Sequence, residues 1–260
     1  MSANCSKLPV PANSGDCAMQ VTLKNPDFLV IDNFLDPKCF EYMWNFIQEE
    51  QFRVVHWDRW IKAFRIADGQ PLWGDVYTSR PTLSDRTARS TAYPTRRGVD
   101  TLISAILENG ALFSEYVGYQ GQDWDYFFCR PYLYPVGTGL SWHTDGRGDV
   151  RGAYVYYAHP EWGAHWGAEM LIDGSGFRDA EYPEREMLDG SRKRLGLHLD
   201  WRLASEAAMK YGAGHYVLPR PNRFVLLRRG VLHRINPVQE SAGDHVRASV
   251  TGFFLSGDDD

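Results

Sequence analysis

Between residues 124 and 254 the sequence repeatedly returns to short runs of β-branched and aromatic residues, which favour strands. These runs cover residues 125–134, 153–157, 168–172, 224–227 and 246–254. The run 224–227 is apolar throughout, as expected of a buried strand. The pattern predicts a mainly β core, and the helical periodicity that precedes it predicts flanking helices in an α+β chain.

A histidine and an aspartate stand two positions apart after the first of these runs, as His143 and Asp145. Side chains two residues apart in an extended strand point to the same side, so both can bind one ion. Flanking glycines indicate that the pair lies where a strand meets a loop. With a distant second histidine, the pair would form the two-histidine, one-carboxylate set of non-haem Fe(II) sites.

The His-x-Asp/Glu pattern alone is weak, because it occurs as His56/Asp58, His143/Asp145, His159/Glu161 and His198/Asp200. Only His143/Asp145 follows a β-rich run and glycines. His233 comes a short turn after the buried run 224–227 and is the natural third ligand. A second metal site built from His159, His165 and Glu161 is disfavoured, because no distal ligand matches. We expect those histidines to face solvent or substrate.

Arg247 lies in the last β-rich run and shares a strand face with Ser249 and Thr251. An inward-facing arginine needs an anionic partner. Its planar fork, with a neighbouring hydroxyl, suits bidentate binding of a small carboxylate. One half of a buried ion pair is the alternative interpretation.

These residues together resemble a known family, the Fe(II)/2-oxoglutarate-dependent dioxygenases, and within it the prolyl-4-hydroxylase-like branch. The motifs that carry the resemblance follow the family's order between residues 125 and 254. They are Tyr134-Pro135, Gly137-Thr138-Gly139, His143-Thr144-Asp145, Tyr156-Tyr157 followed by Trp162, Trp166-Gly167-Ala168-Glu169, His233-Arg234-Ile235-Asn236-Pro237 and Arg247-Ala248-Ser249. Each motif is modest alone, whereas the ordered set is specific.

The resemblance implies a double-stranded β-helix, or jelly-roll, core that binds Fe(II), 2-oxoglutarate and O2. The implied catalytic metal ligands are His143, Asp145 and His233. The implied 2-oxoglutarate-binding residues are Arg247, Ser249, Tyr134 and Tyr157. Two departures are Leu140, where prolyl hydroxylases often carry a tyrosine, and Ala168 in place of the second glycine of a Gly-Gly pair.

The implied reaction is hydroxylation of an unactivated carbon with release of succinate and CO2. Desaturation or ring closure would follow from a different substrate placement. Related halogenases replace the carboxylate ligand with a small residue, so Asp145 argues against halogenation. We expect a small-molecule substrate, such as an amino acid or natural-product intermediate, with a protein side chain as the alternative. Two rival functions are a cupin-like metalloenzyme without 2-oxoglutarate and a non-catalytic jelly-roll binding protein.

Charge and composition exclude several other classes. A formal net charge of −5 argues against nucleic acid as a general partner. No apolar run approaches the roughly 18 residues of a membrane span, and the N-terminus has no charged and then hydrophobic signal. The 4 cysteines lack CxxC spacing, so neither a zinc cluster nor a disulfide framework is supported. A cytoplasmic protein without a membrane partner is therefore expected.

The length favours one domain at residues 25–256, between a flexible segment 1–24 and an acidic tail 257–260. Asp36 and Pro37 predict the start of a helix that ends near Glu50. A second helical stretch, 98–117, is expected to break at Gly110.

Two further segments have alternative interpretations. Trp57, Trp60 and Trp73 could line an active site, although packing on the outer face of the core is favoured. Residues 174–214 form a charged insertion in the β core, with a helix predicted from Trp201 to Lys210. Such a long insertion is either a lid over the substrate or a solvated elaboration.

Overall fold

The computed structural model describes residues 18–56, 64–82, 90–146, 148–178, 184–186, 188–194 and 202–257. The strands are β1 (Gln20–Lys24), β2 (Phe28–Asp32), β3 (Arg53–Val54), β4 (Leu72–Trp73), β5 (Tyr77–Thr78), β6 (Thr91–Ala92), β7 (Tyr126–Tyr134), β8 (Leu140–His143), β9 (Val150–Tyr157), β10 (Met170–Asp173), β11 (Glu184–Glu186), β12 (Arg192–Arg194), β13 (Gly214–Val217), β14 (Phe224–Arg228), β15 (His233–Ile235) and β16 (Arg247–Leu255). The helices are α1 (Pro37–Glu49), α2 (Val99–Glu108), α3 (Gly110–Val117) and α4 (Arg202–Tyr211). The prediction of a mainly β chain with flanking helices is confirmed.

Two antiparallel sheets carry the fold. The large sheet has the order β1-β2-β14-β9-β16-β7-β4-β3, with β5 beside β7 and β6 beside β5. The small sheet has the order β13-β10-β15-β8, and β11 pairs with β12 as a separate hairpin. Only the short β5–β6 pair is parallel among the described strands. Strands distant in sequence therefore become neighbours, which brings residues from both ends of the β region together.

The two faces of the large sheet are buried in different ways. One face packs on α1, α2 and α3 through residues such as Met43, Ile103, Tyr156 and Phe254. The opposite face packs on the small sheet, where Val155 and Tyr157 meet Met170, Ile172 and Ile235. Because alternate residues of β9 enter opposite clusters, the strand is buried on both faces, as the apolar runs indicate. We call the space between the sheets the inner face.

The flanking helices begin and end where local chemistry predicts. The carboxylate of Asp36 accepts the backbone N–H groups of Lys38 and Cys39, both at 3.0 Å, and Pro37 opens α1. This is the cap expected from the sequence. The second helical stretch divides at Asn109 into α2 and α3, which agrees with the predicted break at Gly110.

The segment predicted to be flexible, residues 1–24, contains a strand at its end. Gln20–Lys24 forms β1, whose five residues are exposed and pair with β2. The flexible interpretation is therefore wrong for residues 20–24, because backbone pairing at a sheet edge requires no apolar side-chain pattern. Residues 1–17 lie outside the described part of the chain, as do residues 258–260 of the acidic tail.

The insertion 174–214 contributes the β11–β12 hairpin and α4, which agrees with the helix predicted there. Ala207 of α4 packs with Trp142, Phe177 and Leu232. Trp142 precedes His143 in β8, so its side chain points to the outer side of the small sheet. The structure therefore anchors α4 on that outer side.

Two other findings complete the fold. Trp73 packs on the inner face and not, as favoured from the sequence, on the outer face, whereas Trp57 and Trp60 lie outside the described residues. The reason is its register, because Trp73 pairs with the inner-face residue Tyr132. None of the described helices has both the length and the apolar character required to cross a bilayer.

Candidate metal and co-substrate site

The structure brings together the three residues predicted to bind a metal. His143 ends β8, Asp145 lies in the loop that follows, and His233 begins β15, opposite His143 in the register of the small sheet. One ligand atom from each lies within 4.8 Å of the others. The Asp145 carboxylate is 3.8 Å from His143 Nε2 and 3.4 Å from His233 Nε2. Two imidazoles and one carboxylate therefore converge on one point from two strands.

Backbone carbonyl groups orient both imidazole rings. His143 Nδ1 lies 2.7 Å from the Ser141 carbonyl oxygen, and His233 Nδ1 lies 2.9 Å from the Val231 carbonyl oxygen. In the tautomer in which Nδ1 donates to these oxygens, Nε2 is left with a lone pair that faces Asp145. Burial and the neighbouring His143 together lower the pKa of His233 to about 4, although Asp145 and the Val231 carbonyl group oppose that shift. His233 is therefore neutral at pH 7, which is the form in which an imidazole can bind a metal.

A buried aspartate supports this arrangement from outside the triad. Asp68 is 6% exposed, and its Oδ1 accepts the backbone N–H of Ser141 at 2.9 Å and the Ser141 hydroxyl at 2.5 Å. Ser141 in turn supplies the carbonyl group that orients His143. Asp68 is thus a positioning residue that the sequence interpretation missed. The dipeptide Asp68-Gly69 is by itself typical only of a turn, and the partner of Asp68 lies 73 residues away.

The turn after Asp68 must approach the metal loop closely. Gly69 has φ +84°, and a Cβ placed there would lie 2.7 Å from the Gly137 carbonyl oxygen. Only glycine fits this approach without displacement. The backbone N–H of Gly139 also donates to the Asp68 carbonyl oxygen at 2.9 Å. The two loops therefore form one rigid support beneath β8.

Arg247 is buried on the inner face with 1% of its surface exposed. Its Nη1 donates to Ser249 Oγ at 3.1 Å, whereas its Nε has no hydrogen-bond partner. It forms no ion pair with a carboxylate in the part of the chain that the structure describes. The alternative of a buried ion pair is therefore not met by the described residues. A buried guanidinium without an anion is costly, so the site fits an anionic ligand.

Two tyrosine rings enclose the Arg247 guanidinium. Its carbon atom lies 4.9 Å from the ring centre of Tyr134 and 5.0 Å from that of Tyr157. The Tyr157 hydroxyl is buried and has no hydrogen-bond partner among the described groups. It is therefore a second polar group that a ligand can satisfy. The four predicted co-substrate residues thus lie together at one place on the inner face.

The metal triad and this arginine share one space. Burial raises the pKa of Tyr134 well above its ordinary value, while Arg247 lowers it and Asp145 raises it. The Arg247 guanidinium lies against the Tyr134 ring on the inner face, and His143 and His233 project to the same face from the small sheet, because Trp142 beside His143 lies on the outer side. Tyr134 and Tyr157 also belong to the apolar cluster between the sheets. The donor set and the unpartnered polar atoms fit a divalent metal with a small dicarboxylate beside it.

The remaining histidine pairs do not form metal sites in the described residues, where His143, Asp145 and His233 are the only such group. His159 was expected to face solvent or substrate, which is wrong, because it is 2% exposed. Its ring nitrogens lie 3.1 Å from the Ala248 and 2.6 Å from the Pro219 carbonyl oxygens. Burial lowers the pKa of His159 to about 4, although both carbonyl groups oppose that shift.

The other predicted loop residues have ordinary surroundings. His165 is exposed, as expected. Glu161 pairs with His245 at 2.9 Å on the surface. His56 lies in the turn after β3, whereas Asp58, His198 and Asp200 lie outside the described residues. No second cluster arises from the described members of this set.

The two departures from the family motifs have clear structural settings. Leu140 is half-buried and packs against the inner-face cluster, so this departure places an apolar side chain on the inner face. Ala168 is fully buried with φ +62°, a backbone conformation that glycine adopts most easily. The second departure therefore occurs at a position whose conformation explains the glycine of the motif.

Comparison with protein families identifies the β region. The family model of the 2OG-Fe(II) oxygenase superfamily matches residues 129–255, a stretch that contains all seven predicted site residues. This superfamily uses Fe(II), 2-oxoglutarate and O2. No curated protein sequence is significantly similar to the chain.

Solved structures with similar folds include prolyl hydroxylases. A prolyl-4-hydroxylase of Pseudomonas putida is 16% identical, covers 88% of this chain and 92% of its own, and has a TM-score of 0.51. A prolyl hydroxylase of Trichoplax adhaerens, solved with a hypoxia inducible factor peptide fragment, is 15% identical, with 89% and 84% coverage and a TM-score of 0.53. The alpha-ketoglutarate-dependent epimerase SnoN of nogalamycin biosynthesis is 11% identical, with 89% and 79% coverage and a TM-score of 0.50. At these identities the likeness concerns the fold.

Proposed function

We propose that this protein, whose residues 129–255 match the family model of the 2OG-Fe(II) oxygenase superfamily, hydroxylates an unactivated C–H bond of a small molecule. One observation carries the proposal: a two-histidine, one-carboxylate triad and a buried arginine without a carboxylate partner face the same space. The core that holds them is proposed to be a double-stranded β-helix. Two facing antiparallel sheets with an apolar cluster between them support that architecture.

His143, Asp145 and His233 would hold the metal. The Ser141 and Val231 carbonyl oxygens fix the two rings, so Nε2 of each can face the ion without rearrangement. Asp145 supplies one negative charge, which leaves part of the charge of a divalent ion for an anionic co-substrate. Three protein ligands also leave coordination positions open for co-substrate and O2.

Arg247 would bind the far carboxylate of 2-oxoglutarate. Its position is fixed by Ser249 and by the rings of Tyr134 and Tyr157, so little conformational entropy is lost on binding. The buried Tyr157 hydroxyl would donate a hydrogen bond to the same carboxylate. Binding would thus neutralise a buried charge and satisfy two polar groups at once.

When bound at this site, Fe(II) with 2-oxoglutarate and O2 would supply the oxidation of an unactivated carbon, with succinate and CO2 as the co-products. The chain's part is to fix the ligands and keep the site dry, which the surrounding aromatic side chains favour. The carboxylate of Asp145 supports hydroxylation over halogenation. Desaturation and ring closure remain alternatives that depend on substrate placement.

Several further assignments belong to the same proposal. The catalytic domain is proposed to cover residues 25–256, extended by β1 at its N-terminal side. The insertion 174–214 is proposed to act as a lid, whose helix α4 packs against Trp142 on the outer side of the small sheet. The proposed location is the cytoplasm.

Succinate release tests the reaction and the class of substrate. Purified protein is incubated in air with Fe(II), 2-oxoglutarate and either the low-mass or the macromolecular fraction of a cell extract. We expect the low-mass fraction to stimulate succinate release by wild-type protein and not by His143→Ala. Stimulation by the macromolecular fraction alone would favour a protein side chain as substrate. A metal-dependent reaction that needs no 2-oxoglutarate would favour the cupin-like alternative, and no reaction would favour a binding protein.

A further inference from the structure

A second inner-face arginine lies on the same strand as the proposed co-substrate pocket. Arg130 is on β7, four residues before Tyr134 and two before Tyr132, so the three side chains share one face. Arg130 pairs with Thr251 across β16, whereas Tyr134 pairs with Arg247. Four residues of strand correspond to about 13 Å. Arg130 and Arg247 therefore arise from separate positions on this face, and their guanidinium groups lie beside different rings, those of Trp73 and Tyr134.

The Arg130 guanidinium is held in place by an aromatic ring. Its carbon atom lies 4.3 Å from the ring centre of Trp73, which pairs with Tyr132 through β4. Stacking of this kind fixes the plane of the guanidinium and leaves its edge to bind a ligand. Trp73, Tyr132 and Arg130 thus form a half-buried cluster at the inner face, which we call the Arg130 cluster.

The Arg130 cluster lacks the anion that such a cation needs. Arg130 Nε is buried without a hydrogen-bond partner, and no described carboxylate forms an ion pair with the side chain. Two other partly buried arginines have carboxylate partners, whereas Arg234, which lies over the Trp142 ring, also has an unpartnered Nε. Arg223 meets Asp32 at 2.7 Å, and Arg97 meets Glu50 at 3.0 Å. A stacked arginine on the inner face that has no carboxylate partner therefore indicates a group that can bind an anionic ligand.

Tyr132 connects this cluster to the co-substrate pocket. It stands between Arg130 and Tyr134 on the inner face of β7, and its ring centre lies 6.3 Å from that of Tyr134. Burial raises the pKa of Tyr132, whereas the charge of Arg130 and a hydrogen bond with it lower that pKa. A small molecule held by Arg130 would extend past Tyr132 towards the metal. Arg247 would remain available to the co-substrate at the other end.

We infer that Arg130, stacked on Trp73 and flanked by Tyr132 and Thr251, binds a carboxylate group of the primary substrate. The substrate class is a small organic acid, with free amino acids included. This inference rests on the proposed function of the site and adds the group by which the substrate is anchored. It also gives Arg130 a role distinct from that of Arg247.

NMR titration of the Arg130 side chain tests the inference. The Nε–H signal of Arg130 is identified by its loss in Arg130→Lys. Wild-type protein loaded with Zn(II) and N-oxalylglycine, an unreactive 2-oxoglutarate analogue, is titrated with acetate, propanoate, succinate, L-alanine, L-leucine and L-phenylalanine. Each acid is compared with its primary amide. We expect a saturable shift of this signal with at least one acid and none with the matching amide.

A matched pair of variants locates the binding energy. Arg130→Gln should weaken the binding of the acid with the highest affinity for wild type by at least about tenfold, as expected for loss of a charge-assisted hydrogen bond. Arg53→Gln, which removes an exposed arginine of the adjoining β3 strand, should leave that affinity unchanged. Intact binding of N-oxalylglycine by Arg130→Gln shows that the variant is folded and that the two arginines act separately.

Three results would overturn the inference: no saturable shift with any acid, equal binding of acids and amides, or unchanged affinity in Arg130→Gln. The titration is repeated without Zn(II) and N-oxalylglycine, so the anion site is measured independently of the metal site. Failure of wild-type protein to bind Zn(II) and N-oxalylglycine would instead contradict the proposed function. The two failures are thus separate observations.

Discussion

Replacement of Arg247 by methionine should have opposite effects on the protein with and without co-substrate. Arg247 is 1% exposed, donates one hydrogen bond to Ser249 and has no described carboxylate partner. Without an anion, the buried charge destabilises the folded state. Methionine has a similar length and no charge. Arg247→Met should therefore raise the free energy of unfolding of the ligand-free protein.

The magnitudes follow from the burial of this charge. Exchange of buried ionic groups for apolar ones stabilises proteins by about 1–4 kcal/mol in favourable cases. Saturation of wild-type protein with 2-oxoglutarate at about 100 times Kd adds about 2.7 kcal/mol, or about 5–11 °C in Tm for a chain of this size. Loss of the arginine should weaken the binding of 2-oxoglutarate by about 2–5 kcal/mol, which raises Kd about 30- to 4,000-fold. At the same 2-oxoglutarate concentration, the ligand should then stabilise the Arg247→Met variant by less than about 1 kcal/mol.

Thermal unfolding under anaerobic conditions, with and without 2-oxoglutarate, measures both effects on Fe(II)-loaded protein. Arg53→Met is the control, because Arg53 is an exposed arginine paired with Asp75 and should change stability by less than about 1 kcal/mol. A full 2-oxoglutarate-dependent shift in Arg247→Met would refute the reasoning. If ligand-free Arg247→Met were less stable than ligand-free wild type, the Arg247 charge would have to be compensated by other groups in the folded protein.

Four further predictions concern supporting residues. Asp68→Ala should weaken metal binding about 10- to 100-fold, measured by competition with a chelator, because it frees the backbone that orients a ligand. Gly252→Ala should lower the free energy of unfolding, measured by chemical denaturation, by more than about 3 kcal/mol, since the new Cβ would lie 1.7 Å from the Phe128 carbonyl oxygen. A Cβ added at Gly110 would have no other atom within 4 Å, so Gly110→Ala should stabilise α3 by about 0.5–1 kcal/mol. Between pH 7 and pH 4 the free energy of unfolding of wild type should fall by about 3 kcal/mol more than that of His159→Gln. The reason is that the pKa of His159 is lower in the folded state than in the unfolded state, so protonation favours unfolding.

Each of these predictions has a contradicting result. Unchanged metal affinity in Asp68→Ala, with Asp75→Ala as the exposed control, would mean that Ser141 keeps its position unaided. Equal stability of the two glycine variants would contradict the close approach at Gly252. Parallel pH profiles for wild type and His159→Gln would show that the two carbonyl acceptors offset the burial of the ring.

Local patterns predicted the elements whose cause is local. The Asp36 cap and the break at Gly110 depend on neighbouring backbone groups, and the structure has both. The strands of the β core follow from their β-rich runs. The motifs also predicted that His143, Asp145 and His233 lie together, and the structure has this group. Such a prediction is possible because each residue stands at or just beyond the end of a strand that a short sequence pattern marks.

Features that depend on distant partners could not be predicted. Asp68 acts through a residue 73 positions away, and His159 is buried by carbonyl groups of two other segments. β1 has exposed side chains and forms only because β2 offers a sheet edge. Arg130 looks like an ordinary strand residue until its register with Thr251 is known. Such cases require the sheet topology, which no single segment encodes.

The visible spectrum of anaerobic protein supplied with Fe(II) and 2-oxoglutarate tests the central claim most directly. Metal-free protein receives each addition alone and then both, beside His233→Ala and Arg247→Ala. We predict a charge-transfer band that requires both additions, disappears in His233→Ala and weakens in Arg247→Ala at equal 2-oxoglutarate. Absence of the band in folded wild-type protein would contradict the iron and co-substrate site.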